Sequence, residues 1–256
     1  QLSNLNTANA ITFKSFARLG YGPINYSWGG TTVGELEELI INADVFNNTK
    51  EAQYSSSSTM PVFSNTHIKK LIILDGKVSH KLTTPINQSD DSSGLFFLNG
   101  AGVENVIIDD GITELGTESL YSLDIKSITL PNTIARIGNE ALQYNELTSL
   151  TIPASVETIG NNAFYQNQIT TINFESNSKL KTIGSNAFES NKLTDTGLSK
   201  LPSSLTSLAT NAFYSNSDLT QITLTSPKDL PGWPNGGTVD GKTVIDFSIF
   251  FSFIVV

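Results

Sequence analysis

The feature that most constrains this chain is a repeat. Residues Leu147 to Ile169, LTSLTIPASVETIGNNAFYQNQI, overlay the sequence on either side with almost no gaps. Strand-start positions fall at Val103, Ile125, Leu147, Ile169, Leu193 and Leu219, at spacings of 22, 22, 22, 24 and 26 residues. A period of this length predicts a solenoid, because each unit is too small to bury its own apolar face and has to stack on the next. Such an array grows lengthwise, so 256 residues need no second core.

Aligned columns predict the interior. Val156 falls with Ile112, Ile134, Leu180 and Leu205, and Ile159 with Leu115, Ile137, Ile183 and Leu208. Phe164 falls with Leu120, Leu142, Phe188 and Phe213, and more loosely with Phe63 and Phe97. That column reads as a stacked spine, each buried member contributing about 1.5–3 kcal/mol. The residue before it is small (Ser119, Ala141, Ala163, Ala187, Ala212), which predicts a short, closely packed helical turn. Gly160 aligns with Gly116, Gly138 and Gly184, predicting a bend of positive φ, and Ala209 breaks the column. Pro131, Pro153 and Pro202 close their strands. Asn145, Asn167, Asn191 and Asn216, with Leu123 departing, read as stacked amides that bond one another and the adjacent backbone without any ligand.

The array divides into a cap over 1–35, a solenoid over 36–225 and a second cap over 226–256. In the first cap ITFKSF (Ile11 to Phe16) reads as a short strand, and Trp28 with the neighbouring aromatics covers the apolar end. Degenerate repeats over 36–102 carry Leu36-Leu39-Ile41 and Ile68-Leu71-Ile73, separated by polar insertions at 47–61 and 75–94 that read as surface loops. Regular repeats occupy 103–225, with about three extra residues around Thr194 to Ser199. In the last segment Asp240-Gly241 predicts a hairpin over Thr238 to Phe247. The apolar run Phe247 to Val256 is too short for a spanning helix and reads as a capping strand, the alternative being a truncated segment or a non-native end. Gln1 opens directly in polar sequence, as a mature protein does once a leader is removed.

Charge and cysteine exclude whole classes of function. A net charge of -9 with only 15 Lys and Arg disfavours nucleic acid and anionic membranes as partners. Without cysteine there are no disulfides, thiolate zinc sites or thiol nucleophiles. Few charges and much Asn, Ser and Thr are associated with secreted bacterial surface proteins more than with cytosolic enzymes.

Two exposed columns lie between the core positions of the strands. The first reads Glu37, Lys69, Glu104, Lys126, then Thr148, Thr170, Thr194 and Thr220; the second reads Ile40, Ile72, Ile107, then Thr129, Thr151, Asn173 and Thr223. One half of the face is therefore apolar and charge-laddered, and the other is lined with hydroxyls. As a binding surface it suits a protein segment or a glycan; as a plain solenoid face, Thr is simply a good strand former. The candidate ligand-binding residues are Ile40, Ile72, Ile107, Thr129, Thr151, Thr148, Thr170 and Thr220, with the apolar half favoured. Tyr121, Tyr165 and Tyr214 follow the spine and read as amphipathic covers of that edge. His67 and His80 have no metal-ligand spacing around them, and neither a metal nor a cofactor is expected.

Gly236 to Thr243, GGTVDGKT, satisfies the phosphate-loop expression G-x-x-x-x-G-K-[ST]. A working loop needs a buried strand before it and a helix starting at the lysine, whereas here PGWPNG precedes and VIDF follows, so a hairpin is expected. Asp90-Asp91 and Asp109-Asp110 are adjacent residues that point different ways in extended chain, so neither pair is an acid/base couple. No catalytic residue is assigned.

The copies LTSLTIPASVETIGNNAFYQNQI, IKSITLPNTIARIGNEALQYNEL and ITTINFESNSKLKTIGSNAFESNKL resemble the BspA-like leucine-rich repeat family, well over Val103 to about Thr225 and loosely over Leu36 to Gly102. The resemblance implies an α/β repeat solenoid, a right-handed leucine-rich-repeat-like superhelix. One parallel sheet would run along one side, with short helical turns or irregular segments opposite. It implies a non-catalytic protein, at the bacterial cell surface or secreted, that serves adhesion or recognition of a host or neighbouring-cell protein or glycan. Members often carry Cys where this chain has its Asn column, so no thiol role carries over. A structural spacer holding another domain away from the cell wall is the alternative. A carbohydrate-active enzyme using Glu37, Glu38 and Glu104 is a weaker one, since Lys69 and Lys70 lie between them.

Overall fold

The computed structural model describes residues 11–12, 34–43, 66–75, 81–82, 98, 101–224, 230, 232 and 238–246. Its strands are, in chain order, β1 (Ile11–Thr12), β2 (Gly34–Leu36), β3 (Leu39–Asn42), β4 (Thr66–Leu74), β5 (Lys81–Leu82), β6 (Gly102–Ile108), β7 (Glu114–Leu115), β8 (Ser127–Thr129) and β9 (Arg136–Ile137). They continue as β10 (Ser149–Ile152), β11 (Thr158–Ile159), β12 (Thr171–Phe174), β13 (Thr182–Ile183), β14 (Ser207–Leu208), β15 (Gln221–Leu224), β16 (Thr238–Val239) and β17 (Lys242–Asp246).

The coils beginning at Val103, Ile125, Leu147 and Ile169 each hold two strands, and these build parallel sheet on two sides where one side was expected. The main sheet is made of three separate segments in succession, β1-β3-β4-β6-β8 with β2 also on β4, then β10-β12, and finally β15-β17-β16. The second runs β5-β7-β9-β11-β13-β14, one parallel step per coil. It aligns Leu82, Leu115, Ile137, Ile159, Ile183 and Leu208, all buried. Two residues per strand leave no alternation to read, which is why the sequence showed this sheet only as a core column. The segment 75–94, expected to be a surface loop, contributes β5 to it, and Leu82 is fully buried.

The inward ladder of the main sheet pairs Val106 with Ile128, and Leu150 with Ile172. Leu198 is its next member, bridged to Ile172, and Leu201 bridges Leu224. The three extra residues before Leu198 fold into a turn in which the Gly197 and Leu198 N–H groups donate to the Thr194 carbonyl, 3.1 Å each. Glycine is needed at 197 because a Cβ there would overlap the Thr170 carbonyl oxygen.

Corners are closed by short, specific contacts. Ile134, Val156 and Leu205 N–H groups donate to the carbonyls of Pro131, Pro153 and Pro202, three residues back. Beside them the Thr133, Ser155 and Ser204 hydroxyls donate to the Ile112, Ile134 and Leu180 carbonyls of the preceding coil, at 2.7–2.8 Å. These hydroxyls staple coil to coil, a role the sequence reading missed.

Past the second sheet the chain makes consecutive turns where helical turns were expected. Glu118, Glu140, Asn162 and Asn186 have φ of 54–57°, and Ser122, Tyr144, Gln166, Ser190 and Ser215 have φ of 50–56°. Left-handed residues at this spacing cannot continue a right-handed helix. Gly160 is not among the positive-φ residues. Its column is glycine because the coils touch there: a Cβ on Gly160 would lie 2.6 Å from the Asn139 nitrogen, and one on Gly138 2.6 Å from the Gly116 carbonyl carbon.

The spine behind this edge is buried throughout, and Phe164, Phe188 and Phe213 stack with centroids 5.2 and 5.5 Å apart and planes within 6° of parallel. The Asn column serves the backbone alone. Asn191 accepts the Ile169 N–H at 3.0 Å and donates to the Phe164 and Phe188 carbonyls at 2.9 and 3.1 Å, so one amide binds two coils. Asn145, Asn167 and Asn216 repeat the pattern, and among the described residues no hydrogen bond joins one amide of this column to another. The expected strand at Ile11 is present where β1 pairs with β3, whereas Phe63, Phe97, Trp28, Trp233 and the run 247–256 lie outside the described residues.

Two stability measurements follow from this packing. In urea denaturation Phe188→Ala is expected to lose about 3–5 kcal/mol, and Tyr214→Ala, at a ring 51 % exposed, about 0.5 kcal/mol or less. Gly160→Ala is expected to lose about 1–3 kcal/mol through overpacking. Glu140→Gly, at a φ of 57°, should be neutral or stabilising by up to about 1 kcal/mol. The reverse order in either pair would contradict the packing described.

Candidate functional site

The outward face of the main sheet carries the expected columns in register. Pairing aligns Ile40 with Ile72, Ile72 with Ile107 and Ile107 with Thr129, across four neighbouring strands. Thr151 pairs with Asn173, and Thr223 with Ile245. Ile40, Ile72 and Ile107 are half-buried, while Thr129, Thr151 and Asn173 are exposed. Alternation places these residues outside because Leu39, Leu71 and Val106, one position earlier, point into the core.

Charge frames the isoleucine strip. Lys69 pairs with Glu37 and Lys70 with Glu38, both at 2.6 Å, and Lys126 pairs with Glu104 at 3.0 Å. His67 Nε2 lies 3.4 Å from the same Glu104 oxygen. The hydrogen bond from Lys126 is the main cause that lowers the Glu104 pKa, and the matching bond to Glu104 raises that of Lys126. All three glutamates of the enzyme reading are thus engaged by lysines, and the lowered Glu104 is the opposite of what a general acid requires.

The threonines do not form one uniform set. Thr148 and Thr170 are exposed and adjacent, with the Thr170 N–H and hydroxyl both donating to the Thr148 carbonyl at 2.9 and 3.1 Å. Thr194 leaves the column: its hydroxyl oxygen accepts the Gly197 N–H at 3.0 Å inside the extra turn. Asp195 takes over there, holding the Thr220 hydroxyl and accepting the Thr220 and Gln221 N–H groups at 2.6 and 3.0 Å. The Thr220 hydroxyl is the first cause that lowers the Asp195 pKa, with the two backbone donors adding to it against desolvation. Thr220 is therefore the candidate least available to a ligand, and nothing in the repeat pattern pointed to Asp195.

On the turn edge Tyr121, Tyr144 and Tyr165 form a rail of edge-to-face contacts, with centroids 5.4 and 5.7 Å apart. Tyr144 sits one residue later in its coil than the others, which hid it from the column reading. Tyr214, the last of the expected covers, is exposed. The phosphate-loop expression ends in a hairpin as expected: β16 and β17 are antiparallel, and Asp240 and Gly241 have φ of 48° and 75°. Through β17 the hairpin adds one parallel strand beside β15. Among the described residues no cluster of His, Asp and Glu is arranged to hold a metal, and no helix is long and apolar enough to cross a membrane. His80 lies outside the described residues.

A leucine rich cell surface protein from Faecalibacterium prausnitzii A2-165 is similar in its crystal structure at 20 % identity and a TM-score of 0.48. The similarity covers 75 % of this chain and 45 % of that one, so this chain spans less than half of that protein's length. No curated protein sequence matches. Residues 93–220 match the BspA type leucine rich repeat region in six copies. With half of its length matched in this way, its coils stacked in register and its spine continuous, the chain belongs to the BspA-type leucine-rich repeat family.

Proposed function

We propose that this right-handed solenoid is a non-catalytic recognition or adhesion module, displayed at a bacterial cell surface or secreted, that binds a host or neighbouring-cell protein or glycan through its main sheet. The observation that carries the reading is the strip Ile40-Ile72-Ile107, half-exposed and in register on three strands. Apolar area bordered by paired charges matches the anatomy of a protein interface, with an apolar centre and a polar rim. A regular scaffold binds through what is exposed or irregular on it, and this strip is a three-strand apolar run on a face that is polar over β8, β10 and β12. Engaged carboxylates on the same face favour binding over turnover. The Thr129-Thr151 and Thr148-Thr170 columns offer hydroxyls without a pocket, so an extended ligand there would gain little per coil. The spacer reading predicts that no face variant matters.

The test is binding of fluorescently labelled protein to cultured epithelial cells, before and after treating the cells with protease or glycosidases. Ile72→Glu combined with Ile107→Glu is expected to weaken binding by roughly tenfold or more, about 1.4 kcal/mol, with the melting temperature retained. Loss only with Thr129→Lys and Thr151→Lys would move the site to the hydroxyl columns, and no loss with either pair would favour the spacer.

A further inference from the structure

The turn edge differs from both sheets in the direction of its hydrogen bonds. On the second sheet the N–H groups of Gly138, Gly160 and Gly184 donate back to the preceding coil, to Leu115, Ile137 and Ile159. On the turn edge they donate forward: Leu120 to Ala141, Leu142 to Ala163, Phe164 to Ala187 and Phe188 to Ala212, each at 2.8 Å. Ser122, Tyr144, Gln166 and Ser190 do the same toward Gln143, Tyr165, Glu189 and Tyr214, at 2.9–3.1 Å. The intervening peptides turn into their own coil, as Gln143 N–H does to Glu140 and Glu189 N–H to Asn186. In a strand successive peptides alternate and their dipoles cancel; here the axial ones add, leaving the positive end at the C-terminal side. The next donors in the series are the Phe213 and Ser215 N–H groups, and among the described residues no backbone carbonyl receives them.

An open surface depression of about 450 Å³ lies beside this end, with Tyr214, Ser215, Ser217, Thr220, Asp240 and Lys242 in its lining. Lys242 is 4 % exposed. Its ammonium has three donors, and among the described residues it meets one acceptor, the Asp240 carbonyl at 3.3 Å. Burial lowers its pKa against the opposing Asp240 charge, the sign of a cation short of compensation. Glu189, one coil before Tyr214, is raised by desolvation and then by Asp240, whose charge therefore reaches both. The Asp240 carboxyl in the lining disfavours a dianion such as phosphate but can accept hydrogen bonds from hydroxyl groups.

We propose that this depression binds an acidic sugar, a hexuronate or sialate unit. Its carboxylate sits on the Ser215 N–H group and the Lys242 ammonium, its hydroxyls on the Asp240 carboxylate, and its ring against Tyr214. The site lies apart from the isoleucine strip and stands whether or not that strip binds anything. Calorimetric titration of the whole chain with glucuronate, N-acetylneuraminate, glucose and inorganic phosphate, at matched ionic strength, tests it. The acidic sugars are expected to bind roughly tenfold or more tightly than glucose or phosphate. Lys242→Met should abolish that preference without lowering the melting temperature, since it removes a buried charge, and Tyr214→Ala should weaken both acidic sugars. Failure of both to bind, phosphate binding as tightly as either, or affinity unchanged in Lys242→Met would each overturn the proposal.

Discussion

The constraint on which the structure depends is that successive coils approach to one strand separation, about 4.7–4.9 Å, on every side of the solenoid. Two sheets achieve this with ladder bonds, and the turn edge achieves it with forward-pointing peptides. Everything between must then be thin enough or polar enough to fit. Gly138 and Gly160 are thin where one coil's backbone rests on the next. Ala163 and Ala187 are small beside the spine and fully buried. The Asn amides supply donors and acceptors where the chain leaves the edge and no ladder partner exists. Buried backbone groups left unpaired there would each carry the desolvation penalty of about 1–3 kcal/mol.

The same constraint explains why the surfaces differ in their capacity to recognise anything. Side chains that hold the coils together are spent on the scaffold, as Thr133, Ser155 and Ser204 are at the corners. The recognition proposed above would fall to outward residues of the main sheet and to the place where stacking stops. Ile40, Ile72 and Ile107 are of the first kind, and Tyr214 with Lys242 of the second. These two surfaces suit ligands of different chemistry, one apolar and extended, the other compact and charged.

What was legible in the sequence is what repeats with the coil. The spine, the core ladders, the Asn column and the charge alternation Glu37-Lys69 and Glu104-Lys126 all stand where their spacing put them. Glycine in a bend has two physical causes, positive φ and close approach, and the column could not separate them; the structure assigns Gly160 to the second. Most left-handed residues of the turn edge were invisible because Glu, Tyr, Gln and Ser carry no signal for that conformation, whereas Asp124, Asn162 and Asn186 are of the residue types that favour it. The second sheet was missed because two-residue strands show no period. Asp195 and Lys242 act once each, so no column contains them.

Hydrogen bonds between coils lie along the array, and this sets how it responds to being pulled. A load applied end to end reaches every junction in series, so junctions yield one at a time. A coil that opens releases 22 to 26 residues, roughly 70–95 Å of extended chain, while its neighbours remain stacked. The Asn amides, each clamping two coils, set where one extension step ends and the next begins. Under flow or shear such an array lengthens in discrete increments, and the force across it stays limited until the last coil has opened.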